Sequence, residues 1–253
     1  MSLNFDFDSF CDYAAHGRLA DVQRMLESGE LLVDKNVNHA LWRAAENGHV
    51  DVVERLLQDE RVDPSVDDNF ALQVAARNGQ LAVVERLLQD ARVDPSADNN
   101  SAVQEAALSG HLAVVERLLQ DQRVDPSAYD NYAVRAAACY GHVAVVKRLL
   151  QDARVDPSAV NNYAVHWAAK RGHIAVVDGL LEDVRVDAAV AIQHSRPEHR
   201  KRFECRERLT EICIALQDLE LPAWVIVQIL DSARPWSTQQ QVELGMRGQT
   251  LSR

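Results

Sequence analysis

Apolar and polar residues follow one another along this chain in blocks typical of short amphipathic helices. One block runs from Leu112 to Leu119, and its apolar side chains share one helical face at positions i, i+1, i+4 and i+5: Val114, Val115, Leu118 and Leu119. The preceding block, Ser101 to Leu108, is rich in alanine. Gly110 stands between the blocks, where a helix end favours a left-handed residue. The pattern predicts two helices joined by a tight turn.

The two-block unit repeats through most of the chain. The tripeptide Arg-Val-Asp returns every 31 residues, beginning at Arg61, Arg92, Arg123, Arg154 and Arg185. Glycines keep the same spacing at Gly17, Gly48, Gly79, Gly110, Gly141 and Gly172. Each unit then turns through a segment such as Asp125-Pro126-Ser127, which favours a turn and cannot continue a helix. We therefore expect stacked units, with paired alanines allowing the first helices of neighbouring units to approach closely.

These units resemble the ankyrin repeat, whose consensus reads T-P-L-H-x-A-A-x-x-G-H followed by a V-x-x-L-L helix. The matching stretches are FALQVAARNGQLAVVERLL, SAVQEAALSGHLAVVERLL, YAVRAAACYGHVAVVKRLL and YAVHWAAKRGHIAVVDGLL. The resemblance covers residues 10–190 and implies an all-α solenoid of helix-turn-helix repeats with short loops and a C-terminal helical cap. We expect six repeats within residues 8–190, at about 8–36, 37–67, 68–98, 99–129, 130–160 and 161–190.

The repeats depart from the consensus in a regular way. The Thr-Pro start is replaced by an aromatic residue, His or Ser followed by Ala, and the preceding glycine by Asp68, Asn99, Asp130 and Asn161. Asp and Asn tolerate the left-handed conformation better than other non-glycine residues do. Because the unit is two residues shorter than the usual ankyrin repeat, we expect blunt turns instead of long β-hairpins. The pattern RLLQDxRVDPSAxNN resembles a subgroup found in large DNA viruses and their protist hosts.

Side chains that differ between repeats predict a binding surface. The second helix of each unit hardly changes, whereas the first changes around its alanine pair at positions that share one helical face. The resemblance maps these positions onto the concave groove: Arg43, Glu46, Asn47, Val74, Arg77, Asn78, Glu105, Leu108, Ser109, Tyr129, Cys139, Tyr140, Trp167, Lys170 and Arg171. Trp, Tyr and Arg dominate interface energetics, so Arg77, Tyr140, Trp167 and Arg171 are the expected anchors, followed by Tyr129 and Arg43. Neutral variation of solvated residues is the alternative, and Trp167 could instead pack beneath the C-terminal segment.

The repeat register fails after Val190. Helical patterns run through residues 197–219 and from Pro222 to about Asp231. We therefore predict a helical cap over residues 191–235, followed by a polar tail at 236–253. The segment LPAWVIVQIL also resembles the opening of an F-box, which binds the adaptor of cullin ubiquitin ligases. Five residues match that opening in spacing: Leu221, Pro222, Val225, Ile229 and Leu230. Both interpretations of this segment stay open.

The charge balance argues against nucleic acid as a partner. The chain carries 27 Lys and Arg against 38 Asp and Glu, a net charge of −11, and such an acidic protein repels phosphate backbones. The N-terminal residues lack the basic and apolar regions of a secretory signal, and no apolar run is long enough to cross a membrane. Four scattered cysteines favour a reducing compartment. We therefore expect a cytoplasmic protein, in the host cytoplasm if it is viral.

No motif in the sequence points to catalysis or to a cofactor. The histidines after the turn glycines recur in one scaffold position and are expected to brace the loops: His49, His111, His142 and His173. The spacing of His194, His199, Cys205 and Cys213 is not that of a usual zinc site, and recurring carboxylates indicate a solvated face rather than an acid–base pair. The sequence thus predicts a monomeric, metal-free, non-enzymatic protein-binding module. The alternatives are a ubiquitin-ligase substrate adaptor and a homo-oligomeric structural protein.

Overall fold

The structure is a computed structural model, and it describes residues 7–28, 37–197, 199–200 and 203–204. The chain divides into two compact units, residues 1–194 and 195–253. The described residues contain no strand; thirteen helices have defined bounds and lie in the first unit, and residues 197, 199–200 and 203–204 of the second unit are also helical. None of these described helices is both long enough and apolar enough to cross a bilayer. The helices predicted for 197–219 and 222–231 and the F-box-like residues lie outside what the structure describes, apart from a few isolated positions.

The helices form two parallel rows, one inner and one outer. The inner helices are α1 (Phe7–Ala15), α3 (Val37–Asn47), α5 (Val66–Arg77), α7 (Ala97–Ser109), α9 (Ala128–Tyr140), α11 (Ala159–Arg171) and α13 (Ala188–His194). The outer helices are α2 (Leu19–Ser28), α4 (Val50–Leu57), α6 (Leu81–Leu87), α8 (Leu112–Leu118), α10 (Val143–Leu149) and α12 (Ile174–Leu180). Each inner helix packs against the next inner helix and against the outer helix that follows it. The predicted all-α repeat solenoid is confirmed.

The core lies along the seam between successive repeats. Both alanines of each pair from the second repeat to the sixth, for example Ala106 and Ala107, are completely buried. Val115 and Leu118 on the outer helix are equally buried. Because alanine adds little bulk, the inner helices pack together over a longer stretch than the outer helices do.

A left-handed turn of three residues precedes the regular part of four inner helices. Asp68, Asn99, Asp130 and Asn161 have positive φ angles, as the sequence predicts. The residues on either side of each are also left-handed, so the turn is longer than expected. The third residue of the turn is always asparagine. Its Oδ1 accepts a hydrogen bond from the backbone N–H of the aspartate in the next Arg-Val-Asp, as Asn100 does from Asp125 at 2.7 Å.

The arginine of each Arg-Val-Asp connects neighbouring repeats. Arg92 pairs with Asp90, and its Nη1 donates to the carbonyl oxygen of Val62 in the preceding repeat at 2.8 Å. The Arg92 guanidinium holds the pKa of Asp90 below its ordinary value. Arg123, Arg154 and Arg185 repeat this arrangement. Asp90 and its equivalents therefore hold these arginines in place.

Candidate functional site

Aromatic and cationic side chains gather on the inner helices of the last repeats. We call this set the aromatic–cation cluster; it consists of Tyr129, Tyr132, Arg135, Tyr140, Tyr163, Trp167, Lys170 and Arg171. They project from α9, α11 and the left-handed turn at the start of α9. Tyr140 and Tyr129 are more than half exposed, at 54% and 65%. The cluster is therefore a surface feature and not part of the core.

One half of the cluster is built around Arg171. Its guanidinium carbon lies 4.9 Å from the ring centroid of Tyr140 and 5.7 Å from that of Trp167. Nη1 of Arg171 donates to the carbonyl oxygen of Cys139 at 3.1 Å, which fixes the arginine between the two helices. Lys170 Nζ lies 4.6 Å from the Trp167 ring. These distances are those of cation–π contacts, so the rings and cations hold one another in place.

The other half is built around Arg135. Its guanidinium carbon lies 5.6 Å from the ring of Tyr132 and 5.2 Å from that of Tyr163. Nη2 donates to the carbonyl oxygen of Tyr129 at 3.1 Å. Nε is buried and has no hydrogen-bond acceptor among the described residues. A buried donor of this kind is rare in folded proteins and marks a guanidinium that is not fully satisfied.

A shallow hollow of about 200 Å³ opens between the two halves. It is lined by Leu108, Tyr132, Arg135, Ala136, Cys139, Tyr140, Tyr163 and Arg171. This volume is below the roughly 300 Å³ at which small-molecule pockets begin. The hollow is suited to receiving a side chain of a larger partner.

Burial changes the protonation behaviour of two groups at the site. Burial raises the pKa of Tyr132, and the nearby Glu105 carboxylate adds to this effect, so its phenol stays protonated near neutral pH. Burial, together with His194 and Lys170, lowers the pKa of His166. The rings of His166 and His194 lie 3.9 Å apart between centroids. Within the described residues, no three His, Cys, Asp or Glu side chains are grouped so as to hold a metal ion.

Comparison with known proteins identifies the repeats. The family model for ankyrin repeats (3 copies) matches residues 11–99, 41–130 and 103–190, which together span well over half of the chain. The chain belongs to the ankyrin repeat family. The resemblance stated from the sequence is thereby confirmed for the repeats, whereas the viral subgroup and the F-box-like segment stay predictions.

A solved ankyrin structure has the same fold. The chain is similar to the crystal structure of the human ASB11 ankyrin repeat domain, with 20% sequence identity and a TM-score of 0.63. The similarity covers 78% of this chain and 96% of that one. At this level of identity the likeness shows the fold alone. No curated protein matches the sequence.

The ankyrin groove residues predicted from the sequence fall into three groups. Tyr129, Tyr140, Trp167, Lys170 and Arg171 belong to the aromatic–cation cluster, and Leu108 lines its hollow. In the earlier repeats, Arg77 pairs with Glu105 at 2.8 Å and Arg43 with Glu46 at 3.0 Å. Asn47 and Asn78 each donate to a backbone carbonyl of their own helix. The remaining predicted residues offer little or partial surface: Val74 is buried, Ser109 is half-buried, and Cys139 is mostly buried but lines the hollow.

Three cluster members were missed from the sequence: Tyr132, Arg135 and Tyr163. Tyr132 and Tyr163 directly follow the left-handed turns of their repeats, at a position where the other four repeats carry Asp8, His39, Phe70 and Ser101. Arg135 stands three residues later. At that position, too, the residue type differs between repeats, and only two repeats share one. The positions of Tyr132 and Arg135 share a helical face with the variable positions around the alanine pair. Residues three, four or seven apart lie on the same side of a helix. Comparing the first helical turn of each repeat would have found them.

Proposed function

We propose that this protein is a non-enzymatic scaffold that binds a partner protein through the groove formed by the inner helices of its ankyrin repeats. Ankyrin repeats are generally protein–protein interaction modules. The observation that carries the proposal is the aromatic–cation cluster, which exposes Tyr140 and Tyr129 on the inner row instead of burying them. Tyrosine, tryptophan and arginine are the residues that contribute most binding energy in protein interfaces.

The ordering of the cluster supports this use. The rings of Tyr140 and Trp167 are already held by Arg171. A partner would therefore meet side chains that lose little further conformational freedom on binding. We place the centre of the interface at Tyr140, Trp167 and Arg171. Arg77 and Arg43 are assigned to its rim, because both already pair with glutamates.

Affinity capture with the full chain as bait tests the proposal. Mass spectrometry would compare proteins retained by the wild type with those retained by Tyr140→Ala/Trp167→Ala. We expect the double substitution to remove a specific set of proteins. Tyr13→Ala is a matched control, because Tyr13 also packs against a cation, Arg18, but lies in the first repeat. Unchanged retention by the double variant would show that the groove is not the binding surface.

A second candidate function is that of a substrate adaptor for a cullin-type ubiquitin ligase. It rests on the sequence spacing of Leu221, Pro222, Val225, Ile229 and Leu230. Purified cullin adaptor would be mixed with the full chain and with a Leu221→Ala/Ile229→Ala variant. Binding that is lost in the variant supports this function, and absence of binding to the wild type refutes it.

A further inference from the structure

Charge is unevenly distributed among the inner helices. Helix α7 contains Asp98 and Glu105 and no basic residue, whereas α11 contains Lys170 and Arg171 and no acidic residue. Among the described residues, no carboxylate lies within ion-pair distance of Lys170, Arg171 or Arg135 in α9, whereas Arg43 and Arg77 in the earlier repeats are paired. In a chain with net charge −11, three cations on one surface without carboxylate partners form a local positive site.

The three cations keep hydrogen-bonding capacity for a ligand. Nη1 of Arg171 donates a hydrogen bond to the carbonyl oxygen of Cys139, and Nη2 of Arg135 donates one to the carbonyl oxygen of Tyr129. Each guanidinium has five N–H donors, so several remain. Arg135 lines the hollow and has its Nε without an acceptor among the described residues. Lys170 is exposed, and its Nζ lies over the face of the Trp167 ring. The cluster is therefore rich in donors and poor in acceptors of its own.

A second observation comes from the left-handed turns next to the cluster. The first residue of this turn is Asp67 and Asp98 in the two earlier repeats but Tyr129 and Val160 in the later ones. Aspartate tolerates positive φ, whereas a β-branched valine is an outlier there. Tyr129 and Val160 are 65% and 46% exposed, so packing in the core does not account for them. Their presence replaces the two negative charges of the earlier repeats by apolar surface at the starts of α9 and α11.

We infer that the aromatic–cation cluster binds an extended acidic segment of a protein, in which Asp or Glu residues flank an apolar side chain. The apolar side chain fills the hollow, and the flanking carboxylates pair with Arg135, Lys170 and Arg171. The inference rests on the proposed function and names the class of partner for that same groove. A peptide fits better than a nucleic acid, because a continuous phosphate backbone would also run past the acidic residues of α7.

Selection from an unbiased library tests the inference. The full chain would be used to select from phage-displayed random peptides, and the enriched peptides would be synthesised and measured by fluorescence anisotropy. We expect enriched sequences in which two or more acidic residues flank an aliphatic or aromatic residue. Replacing their Asp and Glu by Asn and Gln should weaken binding about tenfold. Raising the salt concentration from about 50 to about 200 mM should also weaken it, because exposed charges are screened.

Charge-matched variants locate the site. Arg135→Gln/Lys170→Gln/Arg171→Gln should weaken binding of an acidic peptide about tenfold. Arg117→Gln/Lys147→Gln/Arg148→Gln changes the net charge equally but lies on the outer helices α8 and α10, and it should leave affinity within about twofold. If the first variant melts below the wild type, Lys170→Gln/Arg171→Gln takes its place, since both of these side chains are exposed.

Four outcomes would overturn the inference. The first is enrichment of neutral or basic peptides whose binding is lost in Tyr140→Ala/Trp167→Ala; the groove would then be a binding site, as proposed, for a different class of partner. The second is equal weakening in the inner and outer charge variants. The third is tighter binding of a single-stranded RNA oligomer than of any selected peptide. Failure to enrich any peptide also refutes it, and the scaffold function is then judged by affinity capture.

Discussion

The imidazole of His142 lies directly against Gly110 of the preceding repeat, and its Nε2 donates to the carbonyl oxygen of Leu108 at 2.9 Å. A Cβ atom on Gly110 would lie 2.5 Å from Nδ1 of this ring. Gly110 also has a φ angle of +81°. The glycine is therefore required both by its left-handed backbone and by the ring that covers it. The bracing role predicted for the repeated histidines holds, and each brace crosses to the neighbouring repeat.

Gly110→Ala should destabilise the chain by more than the roughly 1–2 kcal/mol of a left-handed alanine, because the added methyl group meets His142. In the His142→Ala background, Gly110→Ala should lower the free energy of unfolding only by the amount due to the left-handed backbone. Urea unfolding of the two single variants and the double variant measures this coupling. Strictly additive free energies of unfolding would show that ring and glycine do not interact.

Ala107→Leu should lower the free energy of unfolding by about 1–3 kcal/mol, because Ala107 is completely buried in the seam between inner helices and has no room for a larger side chain. Ala113→Leu is the control, since Ala113 is exposed on the outer helix α8. The urea midpoint should fall only in the first variant. An unchanged midpoint would mean that the inner helices accommodate the leucine side chain without a loss of stability.

Val160→Asn should stabilise the protein by about 1 kcal/mol, because asparagine tolerates the left-handed conformation that valine adopts here at φ +54°. The reciprocal change, Asp98→Val, places valine at the same position of an earlier repeat and should destabilise by a similar amount. Thermal unfolding of both variants checks the pair. If both shifts have the same sign, backbone strain is not their cause.

Stability should decrease as the pH falls below about 6.5, the ordinary pKa of histidine. Because burial, His194 and Lys170 lower the pKa of His166 in the folded state, the unfolded chain takes up this proton at higher pH. The loss begins near 6.5 and levels off below the folded-state pKa of His166. Melting temperatures between about pH 5 and pH 7.5 would show it.

His166→Gln should flatten this pH dependence, and glutamine is already the residue at the same position in two repeats, Gln73 and Gln104. His16→Gln serves as control, since His16 is exposed in the first repeat. An equally steep decrease in His166→Gln and in the wild type would assign the effect to other groups.

Most of the fold could be predicted because repetition multiplies weak signals. A single Gly110 between two apolar blocks is weak evidence, but six glycines in one register fix the turns. The hydrogen bonds accepted by the asparagines of the left-handed turns, and those donated by Arg92 to the preceding repeat, were not foreseen. Both join groups about 25 to 35 residues apart, and no local propensity describes such a contact.

The candidate site was predicted only in part. Comparison around the alanine pairs found Tyr140, Trp167 and Arg171, because exposed positions differ while the scaffold repeats. It also included Val74, which the packing of neighbouring helices buries. It could not tell that Arg77 is neutralised by Glu105, since that pairing depends on how two helices face each other.

Every junction from the third repeat to the sixth uses the same bonds: a histidine ring covers the turn glycine of the preceding repeat, and an arginine donates to a backbone carbonyl oxygen of that repeat. Whole repeats can therefore be gained or lost by duplication and deletion of the coding segment, because the contacts between neighbouring repeats stay the same. Evolution can in this way lengthen or shorten the recognition surface independently of its chemistry, and each copied unit is then free to acquire its own specificity.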